Sequence, residues 1–164
     1  MAPNLAIIAI PAYFILSLAP HTYGLSILTG GNASNLENQN PRSEDFHSRA
    51  REAIGEAAYQ RFERAESAHK NSLENMPLFY AAVVAGLLAE QATKGTIGKT
   101  YVSSGVSTGM RTFLAGWFAV RSAYTLAYIG IESKQMSYVR SGLYFAGVAL
   151  CFQQFYNAAY ILGY

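Results

Sequence analysis

The sequence predicts an all-α fold, a polytopic membrane protein built as a bundle of four transmembrane helices. Charged residues make up only 13% of the 164 residues and apolar residues 51%, whereas an average soluble domain is about 25% charged. The apolar residues are concentrated in four segments, and we predict helices at residues 4–29, 57–90, 111–131 and 138–163. The length suits one domain, so residues 1–164 are treated as a single transmembrane domain.

The first predicted helix, at residues 4–29, contains no formally charged residue. At about 1.5 Å of rise per residue it is long enough to cross a hydrocarbon core of about 30 Å. A cleavable signal peptide requires Lys or Arg before its apolar run, and residues 1–4 contain neither. We therefore expect the helix to be retained. His21, beside Pro20, is interpreted as a lone residue at the membrane interface.

The second predicted helix, at residues 57–90, is polar in its first half and free of charge at residues 76–89. That uncharged part is too short to span a bilayer alone. The polar turns must therefore continue the helix, either projecting from the bilayer or facing a protected polar interior. The preceding segment is rich in Gly, Ser and Asn and then mixed in charge up to residue 56, and we predict it to be the longest loop.

The third and fourth predicted helices are separated from the second by a Gly, Ser and Thr-rich segment at residues 91–110, which is predicted as a loop. Residues 112–131 are apolar apart from Arg121 in their middle. A short polar turn ends at Arg140, and residues 141–164 carry no charge. Both segments have the length of a membrane span.

Basic residues near the helix ends are unequally divided between the two sides of this topology. The side of loops one and three has six and the opposite side has three. The six are Arg42, Arg49, Arg51, Arg61, Lys134 and Arg140, and the three are Lys94, Lys99 and Arg111. Because Lys and Arg are enriched on the cytosolic side, loops one and three are predicted to be cytosolic.

Composition excludes several classes of function. A net charge of +2, with twelve Lys and Arg residues spread along the chain, gives no basic patch for nucleic acid. A single cysteine, Cys151, excludes an internal disulfide, and its apolar surroundings predict a small buried hydrophobe. The thiol of any redox chemistry has to arrive as a ligand, and no metal site is predicted.

Polar residues inside the predicted second helix are candidates for a site, because an ionisable residue within a membrane costs about 2.5–3.5 kcal/mol on insertion scales. Arg64, Asn71 and Glu74 are spaced by seven and three residues, which places them on neighbouring strips of one helical face. His69 and Lys70 flank that face.

The third and fourth helices carry two further clusters. Arg121, Tyr124 and Tyr128 follow the spacing i, i+3, i+7 and share one face, and Arg140 and Tyr144 lie one turn apart. Under the predicted topology, Arg140 and the start of the second helix both lie toward the cytosol. The three clusters can therefore converge at one depth.

Structural roles for these residues remain open on spacing alone. Arg64 and Glu74 can form a buried ion pair, and Arg121 can satisfy Glu74 or a helix-end carbonyl without any ligand. Tyrosines at helical spacing are also common as packing residues at the membrane interface. Lys70 and His69 can simply be solvated.

Three strings carry a resemblance to a known family. The first, F-E-R-x(3)-A-x(2)-N-x(2)-E-x(2)-P-L-F, runs from Phe62 to Phe79. The second is R-x(2)-Y-x(3)-Y from Arg121 to Tyr128, and the third is R-S-x(2)-Y from Arg140 to Tyr144. Together with the four apolar segments, they resemble the membrane-associated proteins in eicosanoid and glutathione metabolism, the MAPEG family.

The resemblance implies a homotrimer that binds glutathione between helices of adjacent subunits, near the cytosolic face of the endoplasmic reticulum or another internal membrane. It implies that Arg140 stabilises the glutathione thiolate. Ser141, next to Arg140, is predicted to add a hydrogen bond to the same sulfur. The predicted glutathione-binding residues are Arg64, Lys70, Asn71, Glu74, Arg121, Tyr124, Tyr128 and Tyr144.

The sequence departs from the family pattern at several positions. Eicosanoid-synthesising members have an arginine four residues before the asparagine, where this chain has Ser67, and Lys70 or Arg64 is the candidate replacement. Tyr124 occupies a position at which one branch of the family has histidine. Arg42 is a candidate for the family's basic residue beyond helix one.

The resemblance therefore predicts a glutathione-dependent transferase or peroxidase that acts on a lipophilic electrophile entering from the membrane lipid. Catalysis would consist of thiolate stabilisation and the positioning of two substrates, without a covalent enzyme intermediate. The alternative is a non-catalytic membrane trimer that binds lipid or a partner protein. A transporter is disfavoured, because the sequence has no inverted repeat.

Overall fold

The computed structural model describes residues 3–36, 39–41, 43–96 and 108–163. Within these residues the secondary structure is helical, and they contain no strand. The helices are α1 (Leu5–Thr29), α2 (Glu44–Ile54), α3 (Glu56–Glu74), α4 (Met76–Thr96), α5 (Thr108–Gly130) and α6 (Ser137–Leu162), with a 3₁₀ turn at Ala33–Asn35. The all-α prediction is confirmed.

Helix α1 has a defined cap at each end. The Asn4 side-chain oxygen accepts a hydrogen bond from the Ala6 amide at 2.9 Å, which satisfies one of the free N–H groups of the first turn. At the other end, Gly30 has φ 58° and donates its N–H to the Ile27 carbonyl. Glycine adopts this left-handed conformation without a steric penalty, so the helix ends there.

Helix α2 lies in the segment predicted as the longest loop, and that prediction is wrong for Glu44–Ile54. Ser43 caps the helix, because its hydroxyl accepts from the Phe46 amide at 3.1 Å. Asp45 and Arg49 form an ion pair one turn apart, at 3.1 Å. The helix ends at Gly55, which has φ 79°. These local signals outweigh the polar composition that favoured a loop.

The predicted second helix consists of α3 and α4, separated by the single residue Asn75. Pro77 lacks an N–H group and cannot donate to the carbonyl of Leu73, which interrupts the helical ladder at this point. The Asn75 side-chain amide donates to the Asn71 carbonyl at 2.8 Å. Near the end of α3, the backbone carbonyls of Asn71 and Ser72 accept hydrogen bonds from side chains.

The prediction of a loop at residues 91–110 is wrong at both ends of that segment. Helix α4 continues to Thr96 and helix α5 begins at Thr108. Residues 97–107 of the predicted loop lie outside the described residues.

The core joins helices α1, α4, α5 and α6. The Trp117 ring stacks on Phe79 with centroids 4.8 Å apart and planes 9° apart. Tyr13 of α1 contacts Trp117 edge-on at 5.3 Å. Cys151 of α6 is fully buried in the same cluster, in agreement with its prediction as a small hydrophobe. Helix α1 lies along α3, and α6 packs against α4 and α5.

Two helical segments of the described chain, Leu5–Thr29 and Glu56–Thr93, are long and apolar enough to cross a membrane. Large apolar side chains also lie on the outer surface of the helices, among them Ile15, Leu126 and Phe152, which are 68%, 72% and 61% exposed. Such a surface is suited to contact with lipid. That α5 and α6 are the third and fourth spans remains a prediction.

Candidate functional site

Helix α5 positions Arg121 and Tyr124 toward the interior of the helix bundle. Five of its buried residues follow the spacing of one helical face, namely Met110, Phe113, Trp117, Arg121 and Tyr124. Arg121 is 1% exposed and Tyr124 2% exposed. The Arg121 guanidinium therefore extends from the same face of α5 as the buried aromatic residues.

Arg121 is held by three hydrogen bonds to helices α1 and α3. Its Nε donates to the Tyr13 hydroxyl at 3.1 Å. Its Nη2 donates to the Asn71 carbonyl at 3.3 Å and to the Ser72 hydroxyl at 3.4 Å. Of the two structural roles left open for Arg121, contact with a helix-end carbonyl is the one observed. The alternative contact with Glu74 is not observed, and the Glu74 side chain is exposed.

Three tyrosines, Tyr124, Tyr128 and Tyr144, form a tyrosine cluster between the two arginines of α5 and α6. The Tyr124 ring lies 5.5 Å from Tyr128 and 6.5 Å from Tyr144, between centroids. The Arg121 guanidinium carbon lies 4.6 Å from the Tyr124 centroid. The Arg140 guanidinium carbon lies 4.6 Å from the Tyr128 centroid. The structure thus brings the predicted residues of these two helices together.

Helix α6 contributes Arg140 and Tyr144 from its inner face. They lie four residues apart and continue the spacing of the buried residues Gly147 and Cys151. Ser141 is exposed beside this face. Within the described part of the chain, the Arg140 guanidinium has no carboxylate within 4.0 Å and makes no hydrogen bond, so its contact is with the Tyr128 ring.

Arg64 contacts the end of α5 instead of its own helix. Its Nη2 lies 2.7 Å from the Glu132 carboxylate, and its Nε donates to the Ile129 carbonyl at 3.1 Å. The alternative considered above, an ion pair between Arg64 and Glu74, does not form. Ten residues of α-helix separate those two side chains by about 15 Å along the axis, which neither side chain can bridge.

The remaining candidates of α3 lie outside the tyrosine cluster. Lys70 and Glu74 are exposed, and Ser67 and Asn71 are half-buried. Asn71 reaches Arg121 through its backbone carbonyl, while its side-chain oxygen accepts from Asn75 at 3.3 Å. In a single chain, the polar face of α3 that includes Lys70 and Glu74 is therefore directed outward. Arg42, the candidate basic residue beyond helix one, lies outside the described residues.

The whole sequence was also compared with models of known protein families. The family model described as MAPEG family matches residues 5–160. The chain belongs to the MAPEG family. Members of this membrane-integral family include glutathione-dependent transferases and peroxidases. Neither a curated protein nor a solved structure matches the chain significantly.

Sequence reasoning missed two side chains of this MAPEG protein that contact Arg121, namely Tyr13 and Ser72. Both are buried, at 1% and 2% exposure. The signal that could have found them is general: a buried guanidinium requires several acceptors. Tyr13 is one of six hydroxyl-bearing residues of the first helix, so composition alone does not single it out.

Two histidines, His21 and His69, make contacts between α1 and α3. His21 is not a lone interface residue, because its Nδ1 lies 2.6 Å from the Glu66 carboxylate. His69 is not simply solvated, because its Nδ1 lies 2.7 Å from the Ser17 carbonyl oxygen, which can only accept a hydrogen bond. The two rings lie 5.0 Å apart. Together they join the polar half of α3 to α1.

Proposed function

We propose that this MAPEG protein is a membrane-embedded, glutathione-dependent transferase or peroxidase that acts on lipophilic electrophiles. The observation that carries the proposal is the position of Arg140. Its guanidinium contacts the face of Tyr128 at 4.6 Å and has no carboxylate partner among the described residues. It therefore retains its charge and its N–H donors for a substrate.

Arg140 is proposed to stabilise the glutathione thiolate. A free thiol has a pKa near 8.5 and is mostly protonated at neutral pH. An opposite charge within about 4–6 Å favours the ionised form and commonly lowers a pKa by one to three units. Ser141, exposed beside Arg140, is proposed to donate a hydrogen bond to the same sulfur.

The proposed reaction needs no covalent bond to the protein. In transfer, the thiolate sulfur bonds to an electrophilic carbon, and the electron pair of the broken bond moves to a leaving group or an opened ring. In peroxidase turnover, two glutathione thiols become one disulfide, while a hydroperoxide becomes an alcohol and water. In both cases the protein ionises the thiol and positions two substrates.

Glutathione recognition is proposed to use residues of α3 together with the tyrosine cluster. Glutathione has two carboxylates and one ammonium group, which suit Lys70 and Arg64 on one side and Glu74 on the other. Asn71 offers an amide for the peptide groups, and Arg121, Tyr124, Tyr128 and Tyr144 are proposed to line the site.

We propose a homotrimer because, within one chain, the α3 residues of the site lie apart from Arg140 and the tyrosine cluster. Lys70 and Glu74 face outward, whereas Arg140 lies at the tyrosine cluster. Exposed charges in a membrane segment are costly unless a partner or ligand satisfies them. A neighbouring subunit that apposes its tyrosine cluster to this α3 face would complete the site and cover the charges.

We propose that residues 1–164 form a single domain with four membrane spans. Two are the apolar segments Leu5–Thr29 and Glu56–Thr93, and α5 and α6 would be the third and fourth. The excess of basic residues on the side of loops one and three supports a site facing the cytosol. An endoplasmic reticulum or other internal membrane is the proposed location. The surrounding apolar helix surfaces would admit a lipophilic substrate from the bilayer.

The second candidate function is a non-catalytic membrane trimer that binds lipid or a partner protein. The observation that favours it is Ser67, half-buried on α3 where eicosanoid-synthesising relatives have an arginine. Without that guanidinium, a glutathione carboxylate has one fewer bidentate partner. The polar α3 face would then serve subunit contact alone.

Isothermal titration of glutathione into detergent-purified protein distinguishes the two functions. The enzyme proposal predicts saturable binding that Glu74→Gln and Asn71→Ala each weaken roughly tenfold, the cost of a hydrogen bond to a charged group. Glu52→Gln on α2 is the matched control and should bind as the wild type does. Absence of binding by the wild-type protein would contradict the enzyme proposal and favour the second function.

A further inference from the structure

Tyr13 of α1 lies where three helices meet. Its hydroxyl accepts a hydrogen bond from Arg121 Nε at 3.1 Å and donates one to the Ser72 carbonyl at 3.2 Å. Its ring contacts Phe79 and Trp117 edge-on, at 5.0 and 5.3 Å between centroids. The side chain is 1% exposed. One phenol thus connects α1, α3 and α5 through hydrogen bonds.

The Tyr13 phenol is one of the groups that hold the Arg121 guanidinium in place. No carboxylate of the described residues lies within 4.0 Å of this guanidinium, so hydrogen bonds to neutral acceptors hold the group together with the Tyr124 ring. Tyr13 has the shortest of these bonds and is the only acceptor of Nε, while Nη2 is shared between Asn71 and Ser72 at 3.3 and 3.4 Å. Loss of the Tyr13 hydroxyl leaves a buried donor without its partner.

Arg121 in turn contacts two parts of the proposed site. Its Nη2 holds the backbone carbonyl of Asn71, next to the break at Asn75. Its guanidinium carbon lies 4.6 Å from the Tyr124 centroid, at the edge of the tyrosine cluster. A displaced guanidinium therefore disturbs both the α3 residue proposed to bind glutathione and the rings proposed to line the site.

The geometry points to Tyr13 as a positioning residue for glutathione binding, acting through Arg121 on Asn71 and Tyr124. Tyr13 is buried within the core and touches no substrate, so it is not a catalytic residue. The inference rests on the proposed function and adds α1 to the helices that determine affinity. It assigns glutathione affinity and thiolate formation to different arginines. Arg121 contacts Tyr124, whereas Arg140 contacts Tyr128 at the far side of the tyrosine cluster.

Tyr13→Phe is the direct test, because it removes the hydroxyl and keeps the ring packed on Phe79 and Trp117. Glutathione affinity is measured by titration, with the fluorescence of Trp117, the single tryptophan, as a second signal. We expect the dissociation constant to rise by up to roughly tenfold, because only the part of this hydrogen bond's stabilisation that differs between the free and bound states affects affinity. Tyr23→Phe, on an exposed position of α1, is the matched control and should leave the affinity unchanged.

A second readout separates positioning from general structural damage. At saturating glutathione, the pH midpoint of thiolate formation in Tyr13→Phe should equal that of the wild type, and the number of binding sites should be unchanged. Ser72→Ala, which removes another acceptor of Arg121 and leaves the Tyr13 ring untouched, should weaken affinity in the same direction.

Failure of the positioning role of Tyr13 can be distinguished from failure of the proposed function. If the wild type binds glutathione and both Tyr13→Phe and Ser72→Ala bind equally well, the positioning role is overturned and the proposed function stands. A lowered number of sites or a shifted thiolate midpoint in the variants also overturns it. If the wild type binds no glutathione, the proposed function and this inference fall together.

Discussion

The Arg140 guanidinium carbon lies 4.6 Å from the centre of the Tyr128 ring. This contact joins the first turns of α6 to the last turns of α5. A cation over an aromatic face is stabilised by about 0.5–2 kcal/mol, depending on desolvation. The tyrosine ring thereby orients a cation that has no carboxylate partner among the described residues.

Removing the Tyr128 ring face should lower activity. Tyr128→Leu is expected to reduce kcat/KM with glutathione and an activated aryl chloride by about threefold to thirtyfold, which corresponds to the cation–aromatic energy. Tyr128→Phe keeps the ring face and should lose less. Equal losses in the two variants would show that the hydroxyl, and not the ring, is the group that matters.

Close packing at Gly86 should make alanine less favourable there than at an open helical glycine. A Cβ atom there would collide with the Gln154 amide and the Met110 methyl group. Both groups are the ends of flexible side chains and can move, so Gly86→Ala is expected to lose the gain of about 1 kcal/mol that alanine otherwise gives a helix, rather than to unfold the protein. The measurement is the thermal unfolding midpoint in detergent.

Gly142→Ala is the matched control for Gly86, because no atom lies within 4 Å of the position its Cβ would occupy. Alanine is favoured over glycine inside a helix by about 1 kcal/mol. The control should therefore leave the midpoint unchanged or raise it. A Gly86→Ala variant as stable as Gly142→Ala would contradict the close approach of α4 and α6.

Arg64 should contribute more to stability than its partner Glu132. Glu132 is 66% exposed at the side chain, and exposed ion pairs contribute about 0.2–1 kcal/mol. Arg64 also donates to the Ile129 carbonyl. Arg64→Ala is therefore expected to lower the unfolding midpoint more than Glu132→Ala does.

The same two variants test whether Arg64 also binds glutathione. A ligand contact would raise the dissociation constant in Arg64→Ala and leave it unchanged in Glu132→Ala, as titration can measure. A rise of equal size in both variants would assign Arg64 to the α3–α5 contact alone.

Much of the fold follows from local sequence patterns, but the partners of the polar residues do not. The spacing of Arg121 and Tyr124 is enough to place both on one face of α5. It does not identify Tyr13 as the partner of Arg121, since 108 residues separate them in sequence. Helical periodicity determines which way a side chain faces, and only packing determines what it meets there.

The same limit explains the errors at His21 and Arg64. His21 contacts Glu66 and Arg64 contacts Glu132, across 45 and 68 residues of sequence. Helix α2 is a different case, because its signals are local. The capping Ser43 and the acidic residues of the first turn are typical of a helix start, but the neighbouring Gly and Asn residues favoured a loop prediction.

The central claim is that Arg140 stabilises a glutathione thiolate, and ultraviolet absorbance tests it most directly. Glutathione is added at saturating concentration to purified protein near neutral pH, and the absorbance of the thiolate is followed. We predict a thiolate signal for the wild type that is lost in Arg140→Gln and partly kept in Arg140→Lys, which retains the charge. A wild type that binds glutathione without forming thiolate, or an Arg140→Gln variant with the full signal, would contradict the claim.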